Sequence, residues 1–231
     1  MRTFLFAVSA SLAFAAPASA ATRTFGITSF TKVRVEGPYK VTLAIGVAPF
    51  ARATGSTTAL DRVAIDVTGD TLVVRTNPSA WGGYPGEDPG PVEISVGTHD
   101  LTNAALTGAG SLAINRVKGL SFALRLQGSG SAQIDDVAAD QLEVNLAGTA
   151  NARLTGHALN FTALVRGLSS IDAAKLTTKD THVTADGSAT IDVDVTDTAR
   201  VDAWGPATIR FSGRPACTLK VSGSTNVSGC R

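Results

Sequence analysis

The sequence predicts an all-β protein whose larger part is a parallel β-helix or a related β-solenoid, with N-terminal strands packed on it or capping it. Glycine recurs in the second half at intervals of 18 to 20 residues, and a period of about 20 residues is typical of stacked coils. Apolar residues alternate with polar ones before each glycine, as in half-buried strands. No segment shows a convincing helical period. The recurring glycines are Gly108, Gly128, Gly148, Gly167, Gly187, Gly205 and Gly223.

Residues 1–20 are typical of an export signal, with basic Arg2, the apolar stretch 4–16 and a small-residue cleavage site at 18–20. This stretch is shorter than the roughly 20 residues that a helix needs to cross a bilayer. We therefore expect cleavage, and an extracytoplasmic mature chain, periplasmic or secreted, without a transmembrane segment. We expect 21–231 to form one domain.

Composition and charge exclude some partners. Lys and Arg number 20, and Asp and Glu number 19, so loss of Arg2 with the signal leaves equal numbers of basic and acidic side chains. Nucleic acid prefers a basic surface, so we expect no nucleic-acid partner. Cys217 and Cys230 predict one disulfide in an oxidising compartment. The three histidines have no metal-ligand spacing, so we expect no metal and no cofactor.

The N-terminal half, 30–96, alternates apolar and polar residues in short runs separated by turn signals such as Gly37-Pro38. The segment 78–91 is too rich in proline and glycine for a strand and predicts an exposed loop. Its Trp81 and Tyr84 are candidate binding residues, because flat aromatic faces suit a sugar ring or a protein partner. The alternative is that both rings pack back onto the domain.

The repeat half, 101–231, has apolar residues two and four positions before each recurring glycine. We expect the glycines to lie at corners between strands, where positive φ or close backbone approach excludes a β-carbon. A phosphate cradle would need a following helix and a lysine, which are missing from the sequence. A large aliphatic residue follows the first glycines after six positions and the later ones after four, which predicts a shorter turn after Gly148. These aliphatic residues are Ile114, Ile134 and Leu154, then Ile171, Ile191, Ile209 and Val227.

Candidate catalytic residues are scarce, since the sequence has no Gly-x-Ser-x-Gly elbow and each histidine stands without a recognisable motif. We predict no catalytic residue. One alternative is a polar column in which Asp172 and Asp192 are neighbours with Arg210 next, because paired carboxylates can bind calcium or perform acid-base chemistry. The other is that these positions are polar because they face solvent, and that Arg210 neutralises Asp192. The predicted column is Asn115, Asp135, Thr155, Asp172, Asp192, Arg210 and Ser228.

Several motifs together resemble a known bacterial family. They are the export signal, the opening Ser-Phe-Thr-Lys-Val-Arg-Val-Glu-Gly at 29–37, the strand Thr-Leu-Val-Val at 71–74 and the Gly-Ser-Gly repeats. This series is similar to the putative auto-transporter adhesin, head GIN domain family, over roughly residues 30–227. The resemblance implies an exported, β-solenoid-like domain, with adhesion as a provisional role and no catalytic residues to transfer. An auto-transporter would carry a membrane barrel, so we expect surface attachment to need a partner protein; a freely soluble periplasmic protein is the equal alternative.

Two functional hypotheses follow. The first is a non-enzymatic, adhesin-like interaction module that binds a glycan or a cell-envelope protein. The alternative is a polysaccharide lyase or hydrolase of the β-helix type. A homo-oligomer is a further hypothesis, because an uncovered last coil exposes strand edges that recruit other chains. We expect the N-terminal strands to cover one end and the cysteine pair to secure the other.

Overall fold

The computed structural model describes residues 20–79 and 90–231, and it confirms an all-β, solenoid-like fold of stacked parallel strands. The described residues form one continuous sheet and one short helix. The elements are β1 (Ala21–Phe25), β2 (Lys32–Glu36), β3 (Lys40–Ile45), β4 (Phe50–Gly55), α1 (Thr57–Asp61), β5 (Val63–Thr68), β6 (Thr71–Thr76), β7 (Glu93–Thr98), β8 (Asn103–Gly108), β9 (Ser111–Ile114), β10 (Val117–Gly128), β11 (Ser131–Gly148), β12 (Asn151–Gly167), β13 (Ser170–Asp186), β14 (Thr190–Trp204), β15 (Thr208–Ser212), β16 (Ala216–Ser222) and β17 (Asn226–Ser228).

Each coil of the solenoid has two main walls that meet at a corner glycine. We call wall 1 the strand segments that end at this glycine, and wall 2 the segments that follow it. Gly108, Gly128, Gly148 and Gly167 are register partners in successive coils, and the later recurring glycines continue the column. The predicted corner position is confirmed. Gly37 lies at the same corner one coil earlier, beneath Gly108.

The prediction of a shorter turn after Gly148 is wrong. Wall 2 has two inward positions, four and six residues after each glycine, and the first of them keeps its register past Gly148. The first position is Leu112, Ala132, Ala152, Ile171, Ile191, Ile209 and Val227. The larger side chain occupies the second position in one coil, where Ile134 lies beside Ala132, and the first position in a later coil, where Ile171 lies beside Ala173. A core filled at constant volume tolerates this exchange.

The variation in repeat length is absorbed at a different corner. Register shifts occur after wall 2, between Ile134 and Val137 on β11 and between Ala173 and Thr177 on β13. The glycine corner therefore keeps one geometry, while the opposite corner accommodates insertions and deletions as β-bulges do.

The N-terminal strands extend the stack and cover its end, as predicted. β2 lies in wall 1 between β6 and β8, and β3 lies in wall 2 between β7 and β9, all in parallel pairs. Beyond them β5, β4 and β1 add antiparallel strands. The helix α1 begins at Ser56, whose hydroxyl accepts a hydrogen bond from the Ala59 amide at 3.1 Å. It buries Ala59 and Leu60.

One apolar core runs along the inside of the solenoid, from Phe30 near the N-terminal end to Phe211 near the other. The core ends at the last coil, where no further coil covers the inward positions. Val201 is 0% exposed, but its partner Leu219 in the next coil is 44% exposed. Val221, two residues further, is 46% exposed.

The structure joins Cys217 and Cys230 in a disulfide, with Cα atoms 5.7 Å apart. The bond ties the end of the chain to β16. It leaves Leu219 and Val221 exposed, so it secures the last coil without covering it. Among residues 20–79 and 90–231, β16 pairs only with β14, so this end of the solenoid has a strand edge with apolar side chains that no described strand covers.

We expect the double substitution Cys217→Ser and Cys230→Ser to destabilise the last coil by about 3 kcal/mol, the value for a closed loop of roughly 15 residues. Coils of a solenoid contact only their neighbours, so the loss should be local. Hydrogen exchange of β16 amides should accelerate, while β11 serves as the internal control. Unchanged exchange in β16, or equal acceleration in β11, would contradict this expectation.

Candidate functional site

The outer face of wall 1 presents the residues one, three and five positions before each corner glycine. The residues two and four positions before the glycine point inward. Because successive side chains of a strand point to opposite faces, the residues between them point outward. In β14 the outward residues are Arg200, Asp202 and Trp204, and their neighbours in β13 are His182, Thr184 and Asp186.

Trp204 is the exposed aromatic residue of this face. It is 51% exposed, and it lies between Asp186 of β13 and Ser222 of β16 in register. Sequence reasoning did not select Trp204, although the inward positions of Ala203 and Val201 already indicated that Trp204 faces outward. The useful signal was its position directly before Gly205, which is an outward position.

Next to Trp204, Asp202 is the centre of a hydrogen-bonded group. Its Oδ2 accepts from the Arg200 Nε at 3.1 Å and lies 2.8 Å from the His182 Nε2. These bonds, first with His182 and then with Arg200, hold the pKa of the Asp202 carboxyl below its usual value. Asp202 is therefore an ionised acceptor at neutral pH, and its hydrogen bonds hold the side chains of Arg200 and His182 in place on the surface. The arrangement can donate hydrogen bonds to a ligand beside the indole.

Two carboxylates of the predicted polar column, Asp172 and Asp192, are neutralised by arginines. Asp172, Asp192 and Arg210 are neighbours as predicted, but Asn115, Asp135 and Thr155 lie outside this column. The observed column is Ala113, Gln133, Arg153, Asp172, Asp192, Arg210 and Ser228. The prediction aligned the column on side-chain size, and the shift of the large aliphatic residue displaced the first three members by two residues.

Each of the two carboxylates binds an arginine. The Arg153 Nε lies 3.0 Å from Asp172 Oδ2. Arg210 binds Asp192 through two nitrogens, with Nε 2.5 Å from Oδ1 and Nη2 2.8 Å from Oδ2. This contact raises the pKa of the Arg210 guanidinium. Within the described residues, no group of three or more His, Cys, Asp or Glu side chains is placed to hold a metal ion.

Wall 2 carries an open groove of about 480 Å³ along the same columns. Hydroxyl and amide side chains line one side of it, among them Ser131, Asn151 and Ser170. The Ser170 hydroxyl donates to Asn151 Oδ1 at 2.6 Å. Such a row of donors and acceptors repeats from coil to coil at the spacing of stacked strands, about 4.8 Å.

Trp81 and Tyr84 lie outside the described residues, and their binding role stays a prediction. The described strands on either side of them are β6, in wall 1, and β7, in wall 2.

Comparisons with known proteins agree with this architecture. A putative adhesin from Bacteroides fragilis superposes with a TM-score of 0.82 at 17% identity, covering 90% of this chain and 96% of that chain. A putative adhesin from Parabacteroides merdae has a TM-score of 0.70 at 17% identity, covering 91% and 96%. A protein from Parabacteroides distasonis, described as a putative lipid binding protein, has a TM-score of 0.69 at 18% identity, covering 91% and 96%. At these identities the likeness shows the fold alone. No curated protein matches.

An adhesin-family domain and a disulfide both indicate an extracytoplasmic protein. Across 20–79 and 90–231, no helix has the length and apolar character needed to cross a bilayer. The family model for the putative auto-transporter adhesin, head GIN domain, matches residues 29–215. The chain therefore belongs to this family, as the sequence motifs indicated.

Proposed function

We propose that this protein is an exported, non-enzymatic and adhesin-like binding module that engages a glycan on the outer face of wall 1 around Trp204. The observation that carries the proposal is the half-exposed indole beside the Asp202 group. A sugar ring stacks its apolar face on an aromatic ring, while its hydroxyls need oriented polar partners at the edge. His182, Arg200 and Asp202 supply such partners, and their mutual hydrogen bonds hold them in place before a ligand arrives.

The chemistry of wall 2, a separate face of the solenoid, offers a second polar surface that a long glycan could contact. Its groove presents hydroxyl and amide groups in a repeating row, which suits a polymer with repeating hydroxyls. A cell-envelope protein is the second partner class, and lipid is a third, raised by the description of the Parabacteroides distasonis neighbour. We place the mature protein in the periplasm or outside the cell, after cleavage following Ala20.

Trp81 and Tyr84 form part of the proposal as a second aromatic contact, because flat aromatic faces suit a sugar ring. The lyase or hydrolase alternative has no comparable support. Asp172 and Asp192 are each engaged by an arginine, whereas glycoside hydrolysis needs one carboxyl group that is free to give a proton.

A glycan array and titration calorimetry test the proposal. We expect Trp204→Ala to weaken binding of the selected glycan at least tenfold, or about 1.4 kcal/mol, because the stacking surface is lost. Leu168→Ala is the matched control, since Leu168 is 65% exposed and outside the Trp204 face. Equal affinity of Trp204→Ala and wild type would contradict the proposed face. Loss in a Trp81→Ala, Tyr84→Ala variant alone would move the site to the 78–91 segment, and absence of any glycan ligand would remove the proposal.

A further inference from the structure

A cavity at the N-terminal end of the solenoid contains an arginine with buried donors that have no acceptor. The cavity has a volume of about 460 Å³ and is lined by residues of α1 and its C-terminal cap, the end of β6, and the segments directly before β3 and β7. Arg62, directly after α1, is one of the lining residues. Within the described residues, its Nε and Nη2 are buried and make no hydrogen bond.

The two donors form one edge of the guanidinium group. Nε–H and the adjacent Nη2–H point in the same direction and match the two oxygens of a carboxylate. Arg210 of the same protein shows this use, since its Nε and Nη2 bind the two oxygens of Asp192 at 2.5 and 2.8 Å. At Arg62 the same edge has no hydrogen-bond partner among the described residues. A buried donor without an acceptor is costly, so it indicates a group that the cavity receives.

The remaining lining residues indicate the chemistry of the rest of the ligand. Pro38, Ala59, Pro91 and Val92 give the cavity apolar walls. Tyr39 and Thr76 add hydroxyls, but these are already engaged with each other at 3.1 Å. The Tyr39 hydroxyl also lies 3.5 Å from the Arg62 carbonyl oxygen. Arg62 is thus the one lining side chain with full charge and vacant donors, and the apolar walls favour a ligand with an apolar body. The volume falls within the usual range for small-molecule sites.

We propose that this cavity, the Arg62 pocket, binds a small organic carboxylate with an apolar body, and that the carboxylate pairs with Nε and Nη2 of Arg62. The pocket lies at the opposite end of the solenoid from Trp204. This inference is therefore independent of glycan binding, and either proposal can fail alone.

Three probes separate the parts of the ligand: octanoate has charge and chain, 1-octanol has the chain only, and acetate has the charge only. By calorimetry on the purified protein, we expect octanoate to bind at least tenfold more tightly than either of the others. Nuclear magnetic resonance should show the largest octanoate-induced shifts at the amides of Thr76 and Val92. Equal affinity for octanoate and 1-octanol, or no octanoate binding up to about 10 mM, would overturn the proposal without any variant.

The variant Arg62→Met keeps the length of the side chain and removes its charge and donors. We expect octanoate affinity to fall at least tenfold, and the melting temperature without ligand to stay equal or rise, because the uncompensated buried charge is gone. Arg52→Met is the matched control, since Arg52 lies exposed on β4. Unchanged octanoate affinity in Arg62→Met would overturn the proposal. So would tighter octanoate binding in a Glu87→Gln, Asp88→Asn variant, since a carboxylate of this chain would then be the occupant.

Discussion

Replacing Gly148 with alanine should lower the free energy of unfolding by about 3 kcal/mol or more, from backbone strain and a steric clash together. Gly148 has a φ of +103°, a region that side-chain-bearing residues rarely adopt. A Cβ at this position would lie 2.5 Å from the carbonyl oxygen of Gly128 in the coil below. Backbone cannot move aside without breaking the ladder between coils, so both costs add. Urea unfolding followed by circular dichroism measures the loss from the midpoint at constant slope.

Gly119 provides the matched control for this prediction. Its φ is +134°, but a Cβ there would meet no atom within 4 Å. Gly119→Ala should therefore lose only the conformational part, about 1–2 kcal/mol. The difference in lost unfolding free energy between Gly148→Ala and Gly119→Ala measures the steric cost of a Cβ where stacked backbones approach closely. Equal losses would show that the stacking of glycines contributes no steric requirement.

Truncating Phe161 to alanine is expected to cost about 3–5 kcal/mol, the range for a large aromatic side chain in a closed core. Phe161 lies on β12 in the middle of the stack and is 1% exposed. Its register partners are Leu142 below and Thr181 above, so coils on both sides limit how far the core can collapse into the cavity. The same urea unfolding experiment measures the effect.

Leu159 is the control for Phe161, since it lies on the same strand and is 52% exposed. Leu159→Ala should change the free energy of unfolding by no more than about 0.5 kcal/mol. A similar loss in both variants would mean that the inner and outer faces of β12 are not distinguished as the structure has them.

The features that could be predicted from sequence were those that repeat. Alternation around Gly128 and Gly148 defined the inward and outward positions of each strand, because a strand places successive side chains on opposite faces. The same phase would have identified Trp204 as exposed. The predictions that aligned repeats by the large aliphatic residue, and not by the number of positions after the glycine, were wrong. These are the shorter turn after Gly148 and the place of Asn115 in the polar column.

Features that depend on which strands meet could not be obtained this way. No local pattern indicates that β2 lies between β6 and β8. Between β3 and β6 the chain leaves the parallel stack through β4, α1 and β5 and then returns to it. The hydrogen bond between Asp202 and His182 joins residues in neighbouring coils, and which residues meet there depends on the bulges after wall 2. The buried donors of Arg62 result from the position of α1 over the end strands.

The sequence by itself determined the kind of architecture, a β-solenoid with a glycine corner, and the family to which the chain belongs. Periodicity is a local property, and the burial of one strand face enforces it at every coil. The tertiary structure alone decided the order of the N-terminal coils, the pairing of Asp172 with Arg153, and the lack of an acceptor for Nε and Nη2 of Arg62 among the described residues. These depend on cross-strand register and on the space between elements, which arise only when the coils are stacked.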